Sequence, residues 1–225
     1  MDKKTLAQAA AVALLATASV AASAQSAGTW YAGIGGARIT PNTSSGTLSA
    51  PSAPGTTVDI GSDTQPIMFV GRMLTDHWSV EVPLGLGFTH DINGSGAIAG
   101  VGRIGTVKAL PISVFAQYHF LAPDARFRPH VSVGPTYAYF HGERGSATLN
   151  AINPANPPGG TTLNVDSRWG WTVGLGGTMA LTGRWYLDLH YLHTWLKTTT
   201  TLNSGQHIDT KLDPDVWALS LGYRF

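Results

Sequence analysis

The stretch Val216-Trp217-Ala218-Leu219-Ser220-Leu221-Gly222-Tyr223-Arg224-Phe225 sorts into two faces when read at every second residue. Trp217, Leu219, Leu221, Tyr223 and Phe225 share one face; Val216, Ala218, Ser220, Gly222 and Arg224 share the other. A period of two belongs to a β-strand. One face is wholly apolar or aromatic, as hydrocarbon requires. The opposite face is small or polar, as the inside of a membrane barrel requires.

The same alternation recurs toward the N-terminus. Trp185, Leu187, Leu189, Tyr191 and Trp195 alternate with Tyr186, Asp188, His190, Leu192 and Thr194, and His193 interrupts the apolar face near its outer end. Trp169, Trp171, Val173, Leu175, Met179 and Leu181 alternate with a mostly small set from Arg168 to Ala180. Val131, Val133, Tyr137 and Tyr139 face out in a strand from about Arg128 to Phe140, where Pro135 predicts a bulge. Ile112, Val114, Ala116, Tyr118 and Phe120 form a further outward face, and so do Trp78, Val80, Val82, Leu84, Leu86 and Phe88. Two weaker strands, near 28–39 and 64–74, complete eight. Connections at 75–77, 121–127 and 182–184 are short. Those near 40–63, 90–105, 141–165 and 197–213 are long and rich in Gly, Pro, Ser, Thr and Asn. Short turns on one side and long loops on the other make this an all-β, eight-stranded antiparallel transmembrane β-barrel with both termini on the periplasmic side. A soluble barrel would need the opposite pleat, apolar inside and polar outside.

The composition agrees. Charged residues are 12% of the chain, cysteine is absent, and there are 7 Trp, 7 Tyr and 7 Phe. Lys3 and Lys4, an apolar run from Leu6 to Val20 and the small residues Ala22-Ser23-Ala24 read as a signal peptide over residues 1–24, leaving a barrel over 25–225. The apolar run is shorter than the ~20 residues of a membrane-spanning helix. Without Asp2, Lys3 and Lys4 the basic and acidic residues balance, so nothing in the charge points to nucleic acid.

Five segments carry a resemblance to the OmpW family: Asp76–Val82, Leu110–Phe120, Phe127–Gly134, Asp166–Gly170 and the ending Leu212–Phe225 with its Asp213-Pro214 pair and Gly222-Tyr223-Arg224-Phe225 close. The first loop is richer in Pro, Ser and Thr than that pattern, and Arg168 stands where a smaller residue is expected beside Trp169. The resemblance implies a barrel of a Gram-negative outer membrane with a narrow apolar channel or pocket, through which small hydrophobic molecules pass. It also makes Trp169 a possible gate, whereas alternation points that side chain toward the lipid girdle.

Sorting the inward sets by depth separates the lumen into two halves. Arg72, Glu81, His119, Arg128, His130, Asp188, His190 and Arg224 fall near the periplasmic end. Charges of both signs there are expected to form a paired network that plugs the lumen, since an unpaired buried charge is costly. Gly85, Gly87, Ser132, Gly134 and Thr136 fall nearer the outer end, with Ala138, Thr172, Gly174, Leu192 and Ala218. This small, mostly uncharged set is expected to line a pocket. An apolar molecule would enter from the loop side and leave sideways into the bilayer. A structural or adhesive barrel with a filled interior is the alternative.

The histidines are read as part of the plug rather than as metal ligands, because no paired carboxylate spacing accompanies them. A lipid-modifying enzyme would need a Ser/His/acid arrangement at the membrane surface; His193 is the one feature pointing there, with no outward Ser and adjacent acid beside it. The expectation is therefore no enzyme, no metal and no cofactor. The expected partners are outer-membrane lipid, a small hydrophobic ligand and the barrel-assembly machinery, the last through Phe225.

Overall fold

The computed structural model describes residues 25–155 and 157–225. The expected signal peptide lies outside the described residues. The chain closes into an antiparallel barrel of eight staves. These are β1 (Trp30–Thr40), β4 (Asp63–Met73), β5 (Trp78–Gly85) continued by β6 (Phe88–Gly96), β7 (Arg103–Ser113) continued by β8 (Phe115–His119), β9 (Phe127–Gly145), β11 (Arg168–Ala180), β12 (Trp185–Trp195) and β15 (Asp215–Arg224). Closure comes from β1 and β15, which pair from Tyr31↔Arg224 to Thr40↔Asp215. Each stave pairs with a neighbour on both sides over most of its length, which satisfies backbone polar groups without water, the condition for a sheet to cross a membrane.

The exposed side chains are those of a membrane surface. Ile34, Met68, Val131, Leu175, Leu189 and Leu219 stand outward around the middle. Trp78 and Phe120 both pack on Tyr118 at the periplasmic rim, and Trp185 and Phe225 both pack on Tyr223. At the outer rim Trp169 stands 5.0 Å from Tyr137, and Trp217 stands 5.0 Å from Tyr191. Two aromatic girdles bounding an apolar band are what the interfaces favour.

The four segments read as long connections carry structure of their own. Strands β2 (Ser44–Ser45), β3 (Thr56–Ile60), β10 (Leu163–Val165), β13 (Lys197–Leu202) and β14 (His207–Lys211), with helix α1 (Ala147–Ile152), extend the barrel beyond the outer girdle. β3 pairs with β6; β10, β13, β14 and β2 form a second sheet. Thr198, Leu202, Ile208, Thr210 and Leu212 are buried there while Lys197 and Lys211 are exposed. This is soluble-barrel alternation, with its apolar side inward.

Two local expectations change. Phe88 points inward and is 3% exposed. Gly87, at φ 87°, re-aims the chain between β5 and β6 and exchanges the faces. Pro135 makes no bulge, and the β9–β11 register runs unbroken past Pro135↔Trp171.

Candidate functional site

The outer half of the barrel encloses a cavity of about 560 Å³. Its lower wall includes Ala37, Pro83, Gly85, Phe115, Thr136, Thr172 and Ala218; its upper wall includes Ile39, Phe88, Ile92, Phe140, Leu149, Ile208 and Leu212. Four hydroxyls of the lower wall are bonded to one another. Ser113 bonds Thr136 at 2.8 Å, Thr136 bonds Thr172 at 2.7 Å, and Thr172 bonds Thr194 at 2.8 Å. These four buried hydroxyls form a chain across β7, β9, β11 and β12. Each hydroxyl can donate to one neighbour and accept from another. At these four positions the cavity therefore meets hydroxyls whose hydrogen bonds are spent within the wall.

One interval of the barrel wall lacks backbone pairing. β5 pairs with β8 from Trp78↔Tyr118 to Glu81↔Phe115, and β6 pairs with β7 from Phe88↔Ala109 upward. Between these registers no ladder among the described residues joins 82–87 to 110–114, although 82–85 pair with β4 and 110–113 with β9. Proline cannot donate to a ladder, and Pro83 and Pro111 lie on opposite lips of this interval. Leu84, Leu86, Ile112 and Val114 are exposed along it, so its outer side meets hydrocarbon. Pro83, Gly85, Pro111 and Ser113 belong to the cavity wall, so its inner side meets the cavity.

Larger groups converge below the cavity. Tyr31, Phe69, Met73 and Tyr186 form a buried cluster. Tyr31 Oη donates to Ser79 Oγ at 3.1 Å and lies 3.3 Å from Gln117 Oε1, and Ser79 Oγ bonds His119 Nε2 at 2.9 Å. The rings fit because each sits over a glycine of a neighbouring strand: Tyr31 over Gly71, Phe69 over Gly33, Tyr186 over Gly222 and His130 over Gly176. Arg128, 1% exposed, donates to Gln25 O, Asp76 O and Phe120 O at 3.1, 2.6 and 3.3 Å. It ties the periplasmic turns together at the bottom of the lumen. An eight-stranded barrel has an interior only about wide enough for side chains to fill it.

The structure brings Glu81, His119, Arg128, His130, Asp188, His190 and Arg224 into the lower lumen. Arg72 is not with them. It is exposed on the outer surface, 5.3 Å over the Trp30 ring at the periplasmic rim. Phe69, Gly71 and Met73 take the inward positions of β4, and an interfacial arginine keeps its charged end in water. The base is also organised differently from the expected carboxylate–arginine network. Arg128 is directed to main-chain carbonyls, the Arg224 guanidinium lies 4.8 Å over Tyr186, and Asp188 stands 3.9 Å from His130 Nε2.

Of the expected pocket residues, Gly85, Thr136, Ala138, Thr172, Leu192 and Ala218 line the cavity. Gly87 lies instead at the β5–β6 turn, and Ser132 is spent on His190 Nε2 at 2.9 Å. Gly134 and Gly174 face packed neighbours, the Val114 carbonyl and the Leu192 side chain, rather than the cavity. Trp169 is 70% exposed and belongs to the outer girdle, so its side chain cannot close the lumen. Ile92 of β6, Leu149 of α1 and Ile208 of β14 belong to the upper lining and lie in the segments that read as long connections. The alternation of Ile208, Thr210 and Leu212 with Asp209 and Lys211 was the signal for it.

At the outer rim His193 does have an acid beside it. Asp215 Oδ1 lies 2.7 Å from His193 Nδ1 and also accepts from Tyr191 Oη, while Asp215 Oδ2 accepts from Asn42 Nδ2. Just beyond it, burial works against the charge of Asp213. The Lys211 ammonium at 2.8 Å and the Leu196 N–H outweigh that and hold the Asp213 carboxyl below its usual range.

The OmpW family model matches residues 26–225. The chain belongs to the OmpW family. It is 32% identical to outer membrane protein W of Vibrio cholerae serotype O1 over 171 residues, covering 74% of this chain and 76% of that one. It is 30% identical to outer membrane protein W of Escherichia coli K12 over 234 residues, covering all of both. Among solved structures it is similar to the outer membrane protein OprG of Pseudomonas aeruginosa. That similarity has a TM-score of 0.80 at 23% identity and covers 90% of this chain and 99% of that one. This OmpW-family barrel thus resides in the outer membrane of a Gram-negative bacterium.

Proposed function

We propose that this barrel is a passive uptake route for small, uncharged, apolar molecules, closed at its periplasmic end and open sideways to the bilayer. A solute enters past the outer extension and occupies the apolar cavity. The filled base blocks it from going further down. It leaves between Pro83–Leu86 and Ile112–Val114 into hydrocarbon, where its own hydrophobicity favours it. The observation that carries this reading is the unpaired wall interval, which has the cavity on one side and exposed leucine, isoleucine and valine on the other.

The cavity volume of about 560 Å³ suits one small ligand and argues against an adhesive barrel with a filled interior. The chain carries out no chemistry in this reading. Phe225, exposed beside Tyr223 on the closing strand, serves as the end recognised by the barrel-assembly machinery.

The absence of cysteine allows a direct test. The pair Leu84→Cys and Ile112→Cys is cross-linked with a short bis-maleimide, and influx of an apolar fluorescent dye into proteoliposomes is followed. Cross-linking is expected to stop protein-dependent influx, while each single cysteine variant treated alike retains it. Undiminished influx through the cross-linked barrel rejects the lateral exit.

A further inference from the structure

We propose that His130, His190 and Asp188 form a binding site for a first-row transition-metal dication, of the kind represented by Zn²⁺ and Co²⁺, in the base of the barrel. Their donor atoms lie within 4.8 Å of one another. None of the three lines the apolar cavity, so the site is separate from the uptake route.

The strand register builds the cluster. His119 pairs across to His130, His130 to Gly176, and Gly176 to His190, a single row over β8, β9, β11 and β12. Gly176 sits between the two imidazoles. A Cβ there would lie 2.6 Å from His130 Nε2, and one at Gly174 would lie 2.9 Å from His190 Nε2. The two glycines are thus what let both rings lean over β11 toward each other, to a centroid separation of 4.8 Å. Asp188, two residues before His190 on the same inward face, supplies the carboxylate that the sequence spacing alone did not assign to the histidines.

A second observation points to a ligand. His130 is 3% exposed, yet neither its Nδ1 nor its Nε2 has a hydrogen-bond partner. Burying two such atoms unsatisfied is costly, and a dication accepting a lone pair from one of them relieves part of that cost. Ser132 Oγ, 2.9 Å from His190 Nε2, fixes the second ring, as a partner on a ligand imidazole does. Two imidazoles and a carboxylate are a donor set that Zn²⁺ and Co²⁺ accept, at bonds of about 2.0–2.2 Å.

The test uses tag-free barrel refolded in detergent with Co²⁺, so that loading does not depend on access through the base, followed by removal of free ion. The expected result is one bound ion per chain with the visible absorption of low-coordinate Co²⁺, displaced by Zn²⁺, and a raised Tm of the loaded barrel. Asp188→Asn and His130→Asn abolish the absorption, and His193→Ala at the outer rim retains it. A folded wild-type barrel with neither absorption nor a Tm rise overturns the site, whatever becomes of the variants. An absorption that persists in folded Asp188→Asn or His130→Asn overturns it equally. Dye influx is measured separately, so failure here leaves the uptake reading standing.

Discussion

Thr136 and Thr172 share a hydrogen bond of 2.7 Å across β9 and β11, and each hydroxyl passes the chain on, to Ser113 on one side and Thr194 on the other. Thr172 is the link with a threonine on both sides, and it is 1% exposed. Thr172→Val keeps the shape but leaves both neighbours short of a partner. The variant is expected to lose about 1–3 kcal/mol of stability. Urea unfolding in lipid measures this as a lower midpoint at unchanged slope. Dye influx should persist, since the wall stays apolar.

Arg128 holds the base through the carbonyls of Gln25, Asp76 and Phe120. Arg128→Ala removes the largest fully buried side chain of the lumen and leaves those carbonyls without their donor. Ion conductance of the purified barrel in planar bilayers should rise above the wild-type level. Unchanged conductance counts against a base closed by this residue.

Trp169 packs at a tilt against Tyr137 outside the barrel. Trp169→Ala is therefore expected to leave the rate of dye influx unchanged while lowering resistance to thermal unfolding in the bilayer, because an interfacial anchor is lost. A marked change in influx with stability intact would restore the residue to a gating role.

Asp213 anchors the outer extension to the barrel rim, accepting from Leu196 N and pairing with Lys211. Its carboxyl is held below the usual range despite its burial. A depressed carboxyl contributes stability above the unfolded pKa, about 3.9 for Asp, and that contribution fades as pH falls through the folded value. Asp213→Asn should thus be less stable than wild type at neutral pH, and the difference in Tm should narrow as the pH is lowered through the acid range. A difference that stays constant with pH assigns the effect to packing instead.

The period-two alternation of Trp217–Phe225, Trp185–Leu189 and Ile112–Phe120 made the barrel and its lipid face legible, because which way a strand residue points is a local property of the chain. The same logic placed Asp188, His130 and His190 inside. It failed for Arg72, where a weaker pattern let the parity slip by one, and for Phe88, where a positive φ at Gly87 reverses the parity.

By itself, then, the sequence determined an alternating, aromatic-bounded chain that must close on itself in hydrocarbon. The tertiary structure decided what faces what across strands. It paired the outer segments into an apolar extension, left 82–87 unpaired to 110–114, hid four hydroxyls in one chain, and set two imidazoles over Gly176. Each of these is a relation between residues far apart along the chain. Such relations depend on register, and register is settled only when the barrel closes.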